Sequence, residues 1–233
     1  MTLLDHTLPD AAANLALDEA LLLAAEDGTG GEVLRLWENP GYAVVLGAGG
    51  SAAADVNVPA CAADGVPILR RASGGGPVVV GPGCLCFSLV LAYSRAPEMH
   101  AIGPSARYIL DPLAAALGAA IEAISDLAVN GVKFSGSAQQ RKRKHFLHHG
   151  TLLCGFDLDR ISRYLTVPER QPDYRRNRPH EEFVTNLPLG ADALKQLLVA
   201  AWRPEGLYDP VPLERVQELV AEKYGRDEWN RRR

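Results

Sequence analysis

Aromatic residues make up only 6% of the 233 positions, so Ala, Val and Leu must supply most of the buried surface. Cysteine is equally scarce. Cys61, Cys84, Cys86 and Cys154 form no CxxC pair and no regular ladder of spacings. That argues against a disulfide framework or a zinc site and suits a reduced, cytoplasmic setting. Nor is there an excess of positive charge: 24 Lys and Arg face 28 Asp and Glu, a net charge of -4. This speaks against a chain that coats nucleic acid. The opening residues MTLLDHTLPD carry acids where a secretory leader carries bases, and no long apolar run follows. One long stretch lacks charge, residues 72–94. Gly74, Gly75, Gly76, Pro77, Gly81, Pro82 and Gly83 punctuate it, so it reads as short strands and tight loops, not as a membrane span.

What is present, 47% hydrophobic and 22% charged residues, fits a globular chain with one large domain and a small appendage. Residues 14–25 (NLALDEALLLAA) predict a helix that ends at the glycines around position 28. EVLRLWENPGYAVVLG, VPILRRAS and CLCFSLVLAY read as strands, and residues 105–124 as a second long helix. Two further strands, 126–130 and 132–140, flank an Asn130-Gly131 turn, a strong hairpin signal. The basic run 141–144 reads as a solvated loop tip before HFLHHGTLLCGF. DLDRISRYL predicts a short helix, 166–180 a basic loop, and 191–202 and 212–223 helices. Strands and helices interleave irregularly, which predicts an α+β fold with mixed and antiparallel sheets and flanking helices.

Two loops are rich in glycine. AVVLGAGGSAAAD matches a G-x-G-x-x-A dinucleotide pattern through Gly47, Gly49 and Ala52. The acid that pattern requires about 20 residues on is not at the end of a strand, and a tight strand-to-loop turn is the better reading. In RRASGGGP, Gly74, Gly75 and Gly76 let backbone N–H groups approach an anion, Ser73 adds a hydroxyl, and Arg70 and Arg71 offer forked donors. A flexible hairpin loop with arginines facing solvent accounts for the same residues about as well. A third group sets Asp126 ahead of Lys133, Ser135, Gly136, Ser137 and Ala138, with His148, His149, Gly150 and Thr151 following. Lys133 beside such small residues can reach a phosphate or carbonyl, although an isolated lysine at a strand end usually points to water.

NLALDEALL, LRLWENPGYAVVLG, RRASGGGPV, NGVKFSGSAQQR and LHHGTLL, taken together and in this order, resemble the lipoate-protein ligase family within the biotin and lipoate ligase and transferase superfamily. The resemblance spans residues 14–187. It implies a class II biotin/lipoyl synthetase-like fold, with a catalytic domain over 1–188 and a helical extension over 189–233 that lacks the family's full accessory domain. It implies ATP-dependent activation of lipoate to lipoyl-AMP, followed by transfer to a lysine of a carrier such as a lipoyl domain or H protein. Lys133 would then be catalytic, stabilising charge at the acyl carbonyl and phosphate. Arg70, Arg71, Ser73, Gly74, Gly75, Gly76, Val78, Ser135, Gly136, Ser137, Ala138, His149, Gly150 and Thr151 would bind the acyl-adenylate. Asp126 would lie near the nucleotide and ligate Mg2+.

The chain also departs from that family. Many relatives have His-Asp where this sequence has Val80-Gly81, Asn where it has Cys84, and Gln where it has Gly50. Related octanoyl transferases carry the acyl group on a cysteine and need no ATP. The two windows in which that cysteine falls, 119–125 and 163–173, contain none, and Cys154 reads as a buried strand thiol. The basic glycine-rich motif of biotin ligases is missing. The alternatives to a ligase are a lipoyl or octanoyl transferase and a noncatalytic lipoate-binding protein. A split ligase that needs a small accessory subunit is a further expectation, with closure of the site in cis by residues 211–229 as its alternative. Neither nucleic acid nor membrane is expected as a partner.

Overall fold

Asp10 starts the first helix: its carboxylate accepts a hydrogen bond from the Ala13 N–H at 2.8 Å in the computed structural model, which describes residues 1–232. The helix runs over Ala11–Asp27 and stops at Gly28, whose φ of 80° closes a left-handed cap. Apolar residues surround it, and it is buried on nearly all sides, Asp18 and Glu19 included. A helix placed so deep must pair its own acids.

The strands are β1 (Thr2–Asp5), β2 (Val33–Glu38), β3 (Ala43–Leu46), β4 (Ile68–Arg70), β5 (Val78–Val80), β6 (Cys84–Ala92), β7 (Ala120–Glu122), β8 (Asp126–Val129), β9 (Val132–Arg141) and β10 (His145–Leu153). Seven form one sheet in the order β1-β2-β6-β10-β9-β8-β7, and three form another in the order β4-β3-β5. β1 runs parallel to β2 and β3 parallel to β4, while the other pairs are antiparallel. Mixed sheets with flanking helices are what the sequence predicts.

The second long helix departs from that prediction. It covers Ile102–Leu117, not 105–124, because Gly118 takes a left-handed φ of 61° and ends it. Residues read as its last turn instead form β7, whose Ala120 pairs with Ala128 of β8. The Asn130-Gly131 turn forms as expected, with φ of 52° and 73° between the paired Val129 and Val132. Two successive positive φ values define the type I′ turn that favours Asn-Gly. At the other end of the β9–β10 hairpin, the Glu26 carboxylate accepts from the N–H groups of Arg143, Lys144 and His145 and fixes the basic tip.

Two apolar clusters lie on opposite faces of the large sheet. One joins the Ala11–Asp27 helix to the three-stranded sheet, and the other packs the Ile102–Leu117 helix on Leu34, Leu36, Phe87, Phe134 and Phe146. Residues 189–232 contribute to both: Leu194 and Leu198 of the Ala191–Trp202 helix enter the second cluster, and Val216 and Leu219 of the Leu213–Leu219 helix the first. Arg233, the last residue of the expected extension, lies outside the described residues. Among the described residues no helix is long and apolar enough to cross a membrane.

Candidate active site

A β-bulge decides which residues of β9 share a face. Leu127 pairs with Ser135 and Ala128 with Lys133, so Phe134 is an extra residue in β9. A regular strand would send Lys133 to the opposite side from Gly136 and Ala138. With the extra residue inserted, all three line one cavity of about 380 Å³, while Phe134 turns into the second apolar cluster. That volume is in the range of small-molecule sites.

Within the cavity, Lys133 Nζ donates to Asp126 Oδ1 at 2.8 Å, and Tyr174 Oη donates to Asp126 Oδ2 at 2.7 Å. The lysine lies across Gly136, where a Cβ would come within 2.8 Å of Nζ. A Cβ there would press on the end of a flexible side chain, and the lysine would shift to make room for it. Burial, with the Asp126 charge beside it, pushes the Tyr174 hydroxyl up, so it stays a donor. Neighbouring lining residues from 166–183 include Arg170, Arg175 and His180. Burial pushes the His180 imidazole down.

One stretch of the wall is apolar: Leu15, Trp37 of β2, Val45 of β3, Val78 and Val80 of β5, and Phe87 of β6. From β2 to β9 the sheet order counts three strand spacings, about 14 Å. The cavity thus joins an apolar wall to an ionic group across the sheet and suits an elongated molecule with an apolar tail and a polar head.

Between these regions, six side chains bond in a branched network. Ser73 Oγ lies 2.6 Å from His149 Nε2, and His149 Nδ1 lies 3.4 Å from Asp18 Oδ2. Ser88 Oγ donates to the same Asp18 oxygen at 2.7 Å, and Arg35 pairs with Oδ1 at 2.6 Å. Ser73 Oγ also accepts from Arg71 Nε at 3.0 Å, and a hydrogen on His149 Nδ1, facing the Asp18 carboxylate, leaves Nε2 to accept the Ser73 proton. Burial pushes the Asp18 carboxyl up, but Arg35, with His149 and Ser88, outweighs it and holds the group below the usual carboxylate range.

The arginines of the second glycine loop behave otherwise than the sequence suggests. Arg70 is fully buried and outside the cavity lining; its Nη1 donates to the Gly47 and Gly50 carbonyls at 2.9 and 2.7 Å. Arg71 lines the cavity, yet Nη2 donates to the Gly74 and Gly76 carbonyls and Nη1 to that of Val45. Both act as staples for backbone carbonyls, and the expectation of two free guanidinium forks facing an anion is corrected. Burial pushes Arg71 down to about 10, so it remains a cation at neutral pH.

Of the other residues singled out in the sequence, Gly75, Gly76, Val78, Asp126, Lys133, Gly136, Ser137, Ala138, His149, Gly150 and Thr151 line the cavity. Ser73, Gly74 and Ser135 do not; Ser73 supports His149 from behind. Sequence reasoning missed Asp18, Trp37, Ser88, Tyr174, Arg175 and His180. For Asp18 there was one signal, an acid inside an otherwise apolar Ala- and Leu-rich helix.

The fold is a two-sheet α+β domain with a cavity at the large sheet, and residues 10–201 match the family model described as the lipoyl protein ligase A/B catalytic domain. The chain belongs to that family. It is 28% identical over 228 residues to a protein named "Probable lipoate-protein ligase A" from Mycoplasma pneumoniae, covering 93% of this chain and 67% of that one. Of a relative bearing the same name in Mycoplasma genitalium it spans 46%. Three solved structures share the fold. A Thermoplasma acidophilum protein with bound lipoic acid superposes with a TM-score of 0.79 at 22% identity, covering 99% of this chain and 98% of that one. A lipoate-protein ligase A bound with ATP gives 0.79 at 23% identity, with the same coverage. A bi-partite lipoate protein ligase from T. acidophilum, described with its E2 lipoyl domain, gives 0.77 at 23% identity, covering 99% and 95%.

Proposed function

We propose that this chain is the catalytic part of an ATP-dependent lipoate-protein ligase: it joins lipoate to AMP with release of pyrophosphate, then passes the lipoyl group to a carrier lysine with release of AMP. One observation carries the reading, the Lys133 and Asp126 ion pair in a cavity that also has an apolar stretch of wall, Leu15, Trp37, Val45, Val78 and Val80. A carboxylic acid with an apolar chain fits that division, with its carboxyl near Lys133 and its chain along Leu15, Trp37 and Val78. Lys133 supplies a fixed cation as negative charge grows on the phosphate, and again on the carbonyl oxygen when the carrier amine attacks.

Asp126 is a single carboxylate, and among the described residues no three His, Cys, Asp or Glu side chains converge. That donor set fits magnesium, which binds through one or two carboxylates together with water and substrate phosphates. When bound, the ion would neutralise phosphate charge.

Cys86 also lines the cavity and is the natural candidate for a thioester-carrying transferase. The adjoining Cys84, together with burial, pushes its thiol well above the ordinary range, which supports the ligase. The described residues that line the cavity fall between Leu15 and Phe183, and residues 211–229 lie outside that lining. In this reading a small accessory protein excludes water during adenylation.

The test is intact-mass spectrometry of a carrier domain incubated with the chain, lipoate and ATP. The carrier gains one lipoyl group only when ATP is present. Equal gain from an octanoylated carrier without ATP would establish the transferase instead.

A further inference from the structure

Beyond the residues that the family model matches, a segment at 223–232 grips the back of the glycine loops. It is anchored at one end by Tyr224, which is buried and donates through its hydroxyl to Glu19 Oε2 at 2.7 Å, and by Lys223, whose Nζ meets the same oxygen at 2.6 Å. At the other end it clasps Arg70. The Asn230 side-chain oxygen accepts from the Arg70 N–H at 3.0 Å, and the Trp229 indole N–H donates to the Arg70 carbonyl at 2.8 Å. Arg70 Nε and Nη2 return bonds to the Trp229 and Asn230 carbonyls at 3.0 and 3.1 Å. Trp229 itself lies between two cations, Lys223 Nζ at 4.2 Å and Arg232 Cζ at 4.0 Å from its ring centre.

Arg70 is therefore shared. One side of its guanidinium holds the 47–50 loop and the other is held by the clasp. The 47–50 loop in turn presses on the 73–76 loop, where Ala48 N–H donates to the Ser73 carbonyl at 2.8 Å and a Cβ at Gly47 would collide with the Gly75 carbonyl. Gly75 and Gly76 line the cavity. Releasing the clasp would take from Arg70 the Trp229 and Asn230 carbonyls that Nε and Nη2 bond, and with them part of what holds its guanidinium against the 47–50 carbonyls.

We infer that residues 223–232 form a positioning strap: by fixing Arg70 they set the spacing of the two glycine loops and thereby the affinity of the cavity for its acyl-adenylate. Trp229 and Asn230 are positioning residues, remote from the reacting atoms. The affinity part of the inference rests on the ligase reading; the loop part stands on the contacts alone.

The test compares the full chain with Asn230→Ala, which removes the acceptor for the Arg70 N–H, and with Trp229→Phe, which keeps the ring between its cations and removes a single donor. Hydrogen–deuterium exchange reports amide opening at 47–50 and 73–76, with the β9–β10 hairpin as internal control. Calorimetry with a nonhydrolysable lipoyl-adenylate analogue reports affinity. In Asn230→Ala the two loops exchange about fivefold faster and the analogue binds about fivefold more weakly, the size of one neutral hydrogen bond. Trp229→Phe shows the same pattern to a smaller degree, and hairpin exchange stays as in wild type in both. If Asn230→Ala does not fold, Trp229→Phe carries the test. Loop exchange unchanged while the Arg70 amide itself opens would overturn the strap. So would acceleration spread evenly over the hairpin, which marks general destabilisation. Absence of analogue binding in the wild type would sink the ligase reading and leave the exchange result to decide the strap.

Discussion

Lys133 is held for electrostatics: its side chain is 27% exposed, and its ammonium meets a carboxylate that is itself 15% exposed. Lys133→Ala lowers acyl transfer by about a hundredfold or more, as loss of one preorganised charge does. Its melting temperature stays within about 3 °C of wild type, since no apolar contact is lost. Transfer within about threefold of wild type would contradict the role given to this lysine. Lys133 and Asp126 were legible because seven residues and a single Asn-Gly turn separate them. His149 and Asp18 were not legible as a pair, since they lie 131 positions apart and only the packing of the Ala11–Asp27 helix on β10 joins them. Arg70 and Arg71 were misread in kind. A guanidinium suggests an anion, and nothing in the sequence reveals that backbone carbonyls occupy its donors.

Among the elements, the glycine loops separate positions that need glycine from positions that only contain it. Gly47→Ala drives a Cβ into the Gly75 carbonyl, and backbone cannot move aside as a flexible side chain does. Urea unfolding of that variant shows a loss of about 1–3 kcal/mol, in line with overpacking. At Gly74 a Cβ meets nothing within 4 Å, and its φ is not in the left-handed region. Gly74→Ala therefore stays within about 0.5 kcal/mol of wild type in the same measurement, as unobstructed surface changes do. Equal losses at the two positions would refute this account of how the loops touch. Helices and strands were mostly legible from periodicity, including the β8–β9 hairpin. The end of the second long helix was not, because Ala120, Ile121 and Glu122 suit either state and only pairing with β8 makes them a strand. The bulge at Phe134 leaves no mark in the pattern, although it brings Lys133 onto the cavity face.

For the molecule as a whole, buried ionisable groups set the pH range in which the fold persists. His148 is a fully buried residue of β10, and burial, with His149 beside it, pushes its imidazole down to about 3 from the ordinary 6.5. Between those values the unfolded chain binds a proton that the folded chain does not, so stability falls as pH falls through that window. Asp18 acts in the same direction at lower pH: its carboxyl is held below the ordinary value of 3.8, and the stability it lends above that value is lost as the folded form takes up a proton. The urea midpoint therefore declines from pH 7 to pH 4.5, and His148→Leu flattens the decline. An unchanged slope in that variant would assign the acid sensitivity to other groups.

The central claim, that this cavity makes an acyl-adenylate, is tested most directly by lipoate-dependent exchange of labelled pyrophosphate into ATP. Exchange requires reversible formation of lipoyl-AMP and no carrier protein. The account predicts exchange above the lipoate-free background with the wild-type chain, faster when an accessory protein caps the site, and none with Lys133→Ala. No lipoate-dependent exchange under either condition, together with ATP-independent acyl transfer from one carrier to another, would contradict it.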